Sequence, residues 1–168
     1  MTPSEHAHSL GRVVSNLLAL ETWIRHALLQ HSPNRNRPTK LSIKTLAIGS
    51  VVPIHELTNY KTLGALLKEF NLLQRRLGRE IIDEDEIVKL RDALAHGRVV
   101  AESDEVFPVR LIKFSAENRA DSTVTVTYSE VLDEDWFDEQ LFLTKQAIRV
   151  AIDTAGLICN VFTLGTDR

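Results

Sequence analysis

Apolar residues recur at three-, four- and seven-residue spacings along much of this chain, and the recurrence stops where glycine and proline gather. From about Glu5 to Gln30, the side chains of Leu10, Val13, Leu17, Ile24 and Leu28 fall on one helical face, which Val14, Leu18 and Trp23 widen. A helix of about seven turns belongs in a bundle. The stretch Ser32 to Lys40 then reads as a loop with a basic tip, because SPNRNRPTK holds two prolines, two asparagines and three basic residues. Leu41 to Leu57 is apolar but interrupted by Gly49 and Pro53, which predicts short helical pieces.

The helical period returns with Leu63, Leu66, Leu67, Phe70, Leu73 and Leu77, and Gly78 stands at the C-cap position. A further helix opens at Asp83, whose carboxylate can accept the first free amides, with Glu86 three residues on as in a capping box. It runs through Ile87, Leu90 and Leu94 and is expected to end at Gly97. The acidic run Asp83 to Glu86 suits a helix's first turn, where the dipole favours negative charge, better than it suits a metal. Residues 106–130 change character: VRLIKF and STVTVTY are rich in β-branched and aromatic residues and flank a polar SAENRAD, which predicts a β-hairpin. The last helix should open near Asp133 and reach about Leu164. It carries two apolar stripes, one through Phe137, Leu141, Ile148, Ile152, Ala155, Cys159 and Phe162, the other through Leu143, Ala147, Val150, Leu157, Val161 and Leu164. Two stripes need two coverings, so one should face its own bundle and the other a neighbouring helix or subunit. Gly156, inside this helix, would permit close helix approach.

The resulting expectation is a mainly α protein, a bundle of four to five helices with an inserted β-hairpin near 106–130, in one domain of 168 residues. With 43% apolar and 26% charged residues, neither wholesale disorder nor a membrane-embedded fold is expected. No apolar run reaches the ~18 residues of a spanning helix, and the N-terminus lacks a basic segment leading into an apolar one, so the chain is read as cytoplasmic. The single cysteine, Cys159, reads as a small buried side chain. Residues 1–80 carry a formal charge of +6 and residues 81–168 one of −9. The basic half can face nucleic acid, or it can pair with the acidic half in the same fold or in a partner subunit.

The stretch with chemistry is LRDALAHG, Leu90 to Gly97, at the end of the helix capped by Asp83. Arg91, a polar Asp92 and then His96 after four intervening positions resemble the R-x4-6-H motif of the HEPN family. That resemblance implies a compact helical bundle, paired protomers and, in many members, a metal-independent endoribonuclease, with Arg91 and His96 catalytic and Asp92 orienting one of them. It implies RNA as substrate, a homodimer, no cofactor and no metal, and a toxin–antitoxin or phage-defence setting with an antitoxin or regulatory protein as partner. The alternative is a non-catalytic HEPN-like module that binds RNA or a protein. The motif covers a few residues, its helical context about two-thirds of the chain, and the hairpin has no counterpart in the family pattern. Spacing by itself carries little weight, because a His in a last helical turn before Gly is also ordinary capping.

The residue types nevertheless suit RNA cleavage by the 2′-OH: imidazole titrates near neutrality, and guanidinium holds a permanent charge with two parallel donors for phosphate oxygens. On an ideal helix the two residues stand about 140° apart, so Arg91's length, an opened last turn or a second protomer must bring them together. Arg75, Arg76 and Arg79 form a basic patch that can hold RNA or simply solvate a helix end, and Arg98 just past the motif joins that set. His6 and His8 lie in an N-terminus expected to be loose and lack a carboxylate partner, so they make a poor metal site.

Overall fold

A computed structural model describes residues 1–32, 46–102 and 107–156. The fold is mainly helical, with a small antiparallel sheet. Its elements are α1 (Pro3–Gln30), α2 (Leu63–Leu77), α3 (Glu84–His96), β1 (Arg98–Ala101), β2 (Val109–Phe114), β3 (Val126–Val131) and α4 (Glu134–Thr154). No helix among the described residues is long and apolar enough to cross a membrane. The chain divides into two compact units, Met1–Ala19 with Asp83–Ile148 and Leu20–Ile82 with Arg149–Arg168.

In the first unit the N-terminus is a capped helix and not a loose end. Thr2 and Glu5 form a capping box, with the Thr2 amide donating to Glu5 Oε2 at 2.7 Å and the Glu5 amide to Thr2 Oγ1 at 3.3 Å. Val13 and Leu17 of α1 are buried, as are Ile87, Leu90 and Ala93 of α3 and Phe137 and Leu141 of α4. Val14 and Leu18, expected to widen the buried stripe, are 40% and 64% exposed. They lie one residue beyond the buried pair, about 100° round the helix. Asp133 caps α4 by accepting the Trp136 amide at 2.9 Å, and the Trp136 indole donates to the buried Tyr128 hydroxyl at 3.0 Å.

The hairpin is present as β2 and β3, but it is part of a three-stranded sheet ordered β1-β2-β3. Arg98 pairs with Ile112 and Ala101 with Val109; Arg110 pairs with Val131 and Lys113 with Tyr128. The register shifts between Lys113 and Phe114, and Phe114 then pairs with Val126. Val109 and Leu111 are buried on the face that meets α3.

The second unit has its own core of Leu20, Ile24, Leu66, Leu67 and Phe70. Thr62 caps α2 through the Ala65 amide, and Gly78 closes it in the left-handed region at φ 63°. The α2 stripe does not continue to Leu77, which is 39% exposed; Asn71 and Gln74 are buried in its place. Both are there to serve backbone. Asn71 donates to the Ile82 carbonyl at 2.8 Å and accepts the Ile82 amide at 3.0 Å, while Gln74 donates to the Glu80 carbonyl at 2.6 Å. The short helical pieces expected from 41–57 are absent from the described part, 46–57, where Gly49 takes φ 89° and turns form at Ala47–Ser50 and after His55. Residues 41–45 and the loop tip from 33 to 40 lie outside the described residues.

Helix α4 stops at Thr154, not near Leu164. Gly156 adopts φ 68° just beyond it, so it ends the helix and does not sit inside it. Of the first stripe, Phe137, Leu141, Ile152 and Ala155 are buried; of the second, Ala147 is buried while Leu143 and Val150 are half-covered within the chain. The stripe positions from Leu157 on, Cys159 included, lie outside the described residues.

Candidate functional site

Helix α3 is built as its sequence dictates. Asp83 Oδ1 accepts the Glu86 amide at 3.0 Å, three acidic residues occupy the first turn and His96 the last. Burial of Ile87, Leu90 and Ala93 at three-residue spacing leaves Arg91 and His96 exposed and Asp92 half-buried. The last turn closes with the Gly97 amide donating to the Ala93 carbonyl at 2.7 Å. Gly97 is not a left-handed cap, since it is extended at φ −74° and ψ 170°. Its role is close approach: a Cβ there would collide with the Ala93 carbonyl oxygen and stand 2.6 Å from Leu111 Cδ1. Helix α3 therefore passes straight into β1, with no side chain between it and β2.

Arg91 Nη1 donates to Asp92 Oδ1 at 3.0 Å, and Lys113 Nζ reaches the other oxygen, Oδ2, at 3.4 Å. Burial pushes the Asp92 carboxyl up, but the hydrogen bonds and charges of Arg91 and Lys113 outweigh it and hold the group below its ordinary range. The result is a carboxylate carrying two cations. Lys113 was not singled out in the sequence; the one available signal is its place in VRLIKF, where alternation puts a lysine on the face of Val109 and Leu111. No hydrogen bond joins Arg91 to His96, and His96 has no hydrogen-bond or ion-pair partner among the described residues.

The other sequence-selected cations are dispersed. Arg98 opens β1, exposed, with its guanidinium 5.4 Å from the Phe114 ring centroid. Arg75 and Arg76 occupy the last turn of α2 and Arg79 follows Gly78, all exposed and all in the second unit, whereas Arg91 and His96 belong to the first. Arg79 Nη1 approaches the Asp153 carbonyl at 3.5 Å. His6 is a core histidine, 8% exposed, with its ring 5.1 Å from Phe107 and 5.2 Å from Phe137, whereas His8 is exposed. Among the described residues no three His, Cys, Asp or Glu side chains group as metal ligands would.

Neither a protein-family model, nor a curated protein, nor a solved structure matches this chain.

Proposed function

We propose that the chain is a metal-independent endoribonuclease of the HEPN type, acting as a cytoplasmic homodimer in a toxin–antitoxin or phage-defence setting with a regulatory protein as partner. The observation that carries the reading is the exposed pair Arg91 and His96 on one well-capped helix, with Asp92 bonded to the guanidinium. In the reaction the substrate's own 2′-OH attacks the adjacent phosphorus and the bond to the 5′-oxygen of the next nucleotide breaks, leaving a 2′,3′-cyclic phosphate and a free 5′-OH. His96 serves the proton transfer from the 2′-OH to the leaving 5′-oxygen, Arg91 stabilises the phosphorane, and Asp92 holds Arg91 in place. With the two side chains about 140° apart on the helix and not bonded to each other, a second protomer's copy completes the site.

One observation favours a second reading, a non-catalytic HEPN-like module that binds RNA or a protein. Arg91 already has a carboxylate partner, as a surface cation on any helix does. Substitution separates the two. Arg91→Ala and His96→Ala should each abolish cleavage while the circular dichroism stays unchanged, the His96 loss being roughly 10²- to 10⁴-fold. Cleavage should persist in EDTA and leave a 2′,3′-cyclic phosphate. A pure wild-type protein that cuts no RNA, or cleavage that both substitutions leave intact, rejects the nuclease in favour of the module.

A further inference from the structure

The sheet has a face turned away from α3. Alternation along β2 puts Val109, Leu111 and Lys113 toward the helix and Arg110, Ile112 and Phe114 on the opposite side. Arg98 pairs with Ile112 across the β1–β2 ladder, so Phe114 is its diagonal neighbour on that opposite side. The register shift at Lys113/Phe114 falls at this position, and such irregularities re-aim a side chain. Around the pair stand Val100 and Val126, 44% and 53% exposed.

The charges on this face are unequal in their engagement. Arg110 is bound twice by Glu102, at 2.7 Å through each carboxylate oxygen, and also donates to Ser129. Arg98 has no carboxylate partner among the described residues; its contact is the Phe114 ring. A guanidinium with no carboxylate beside it among the described residues, laid near an aromatic ring and flanked by exposed valines, offers a flat π surface together with a positive charge. A base joined to a phosphate is the chemistry that satisfies both. Position agrees with this, since Arg98 follows His96 by two residues and the two Cα atoms are at most about 7 Å apart.

Resting on the ribonuclease reading above, we infer that Arg98 and Phe114 form a subsite that stacks a nucleobase of single-stranded RNA beside His96. Phe114 supplies the ring, and Arg98 supplies a second planar group and the charge for the neighbouring phosphate. The subsite therefore selects unpaired RNA, whose bases can leave the stack, over duplex.

The test is fluorescence anisotropy with the full-length protein and two labelled 2′-O-methyl strands of equal length, one oligo-adenylate and one abasic, neither of which can be cut through its own 2′-oxygen. The wild type should bind the base-bearing strand more tightly than the abasic one. Phe114→Leu should erase that difference, weakening the base-bearing strand roughly 5- to 150-fold, the range for loss of one stacked base, without changing the salt dependence. Arg98→Lys, which keeps the charge and loses the plane, should fall between the two. Far-ultraviolet circular dichroism of Phe114→Leu checks the sheet, and Val126→Leu, beside the pair, controls for surface change. If the wild type prefers the base-bearing strand and Phe114→Leu keeps that preference in full, the subsite is wrong while the ribonuclease reading stands. If the wild type binds neither strand, both fall.

Discussion

Arg91 and Asp92 are neighbours in sequence and partners in space, with Nη1 of one 3.0 Å from Oδ1 of the other. Adjacent helix residues point about 100° apart, so this bond forms only because a long guanidinium bends back to a short carboxylate. Asp92→Asn keeps the shape and removes the charge. Cleavage should fall by up to about 100-fold as Arg91 loses its orientation, with stability changing by less than about 1 kcal/mol because the pair is part-exposed. The carboxyl lies below its ordinary value of 3.8, so its contribution is present above that value and lost only as pH falls through the lower, folded one. The Asp92-dependent part of the rate should thus be flat from neutrality down to about pH 4.

Gly97 and Gly78 both follow helices, yet they are glycine for different reasons. Gly78 needs its left-handed φ of 63° and has open space around its missing Cβ, while Gly97 has an ordinary φ and no space. Gly78→Ala should cost about 1–2 kcal/mol and Gly78→Asn less, because Asn tolerates that conformation. Gly97→Ala and Gly97→Asn should both cost about 1–3 kcal/mol, since any Cβ meets the Ala93 carbonyl. Urea midpoints of the four variants check this, and an Asn rescue at position 97 would overturn the close-approach account.

Helix α3 was legible to the residue because its signals are local: Asp83 and Glu86 sit three apart, and Ile87, Leu90 and the glycine follow in order. Strand β1 was not, since RVVA is four residues long and becomes a strand only by pairing with Val109 to Ile112. The same distance in sequence hid Lys113, which lies 21 residues from Asp92. Hydrophobic counting also misread α2, because its third turn buries Asn71 and Gln74, polar side chains that satisfy the backbone of Glu80 and Ile82. For α4 both apolar stripes run on past Gly156 in the sequence, but the helix ends at Thr154 with Gly156 left-handed just beyond it. Of the candidate site, residue identities could be read from LRDALAHG; which of them touch could not.

The proposed homodimer has a direct check. Phe142 on α4 is 65% exposed, while the described part of the second apolar stripe is half-covered or buried within the chain. Sedimentation at micromolar concentration should give about twice 19.0 kDa. A monomer would overturn the proposed composite site, in which a second protomer brings Arg91 and His96 together.

Arg25 is a buried cation, 9% exposed, that holds its surroundings by five hydrogen bonds. Two go to Glu21 Oε1, and the others to the Glu56 carbonyl, Asn59 Oδ1 and the Lys61 carbonyl. It therefore fastens the segment leading into α2 onto α1. Arg25→Met fills much of the volume but leaves two carbonyls and a carboxylate unmatched, and should destabilise by about 3 kcal/mol. Limited proteolysis should then cut within 55–61 faster than in the wild type. Unchanged protection would mean that the segment is held by other contacts.

His6 gives the fold a dependence on pH whose sign follows from its surroundings. The ring packs against Phe107 and Phe137, and among the described residues its buried Nδ1 has no partner and no charged group acts on it. Burial pushes its pKa below the ordinary 6.5, with a backbone hydrogen bond at Leu132 opposing the shift only in part. The unfolded chain thus takes up a proton at a higher pH than the folded one. Above about pH 6.5 both forms are neutral and nothing is lost. As pH falls from there toward the folded value, the unfolded state binds more protons and stability declines. His26, also lowered by burial, contributes in the same direction, so the wild type retains part of the slope when His6 is removed. His6→Leu keeps an apolar side chain in the cluster, and its urea midpoint should fall less steeply than the wild type's between about pH 7 and pH 5. Equal slopes for the two proteins would show that His6 is protonated as readily in the fold as out of it, and the aromatic cluster around it would then have to admit water.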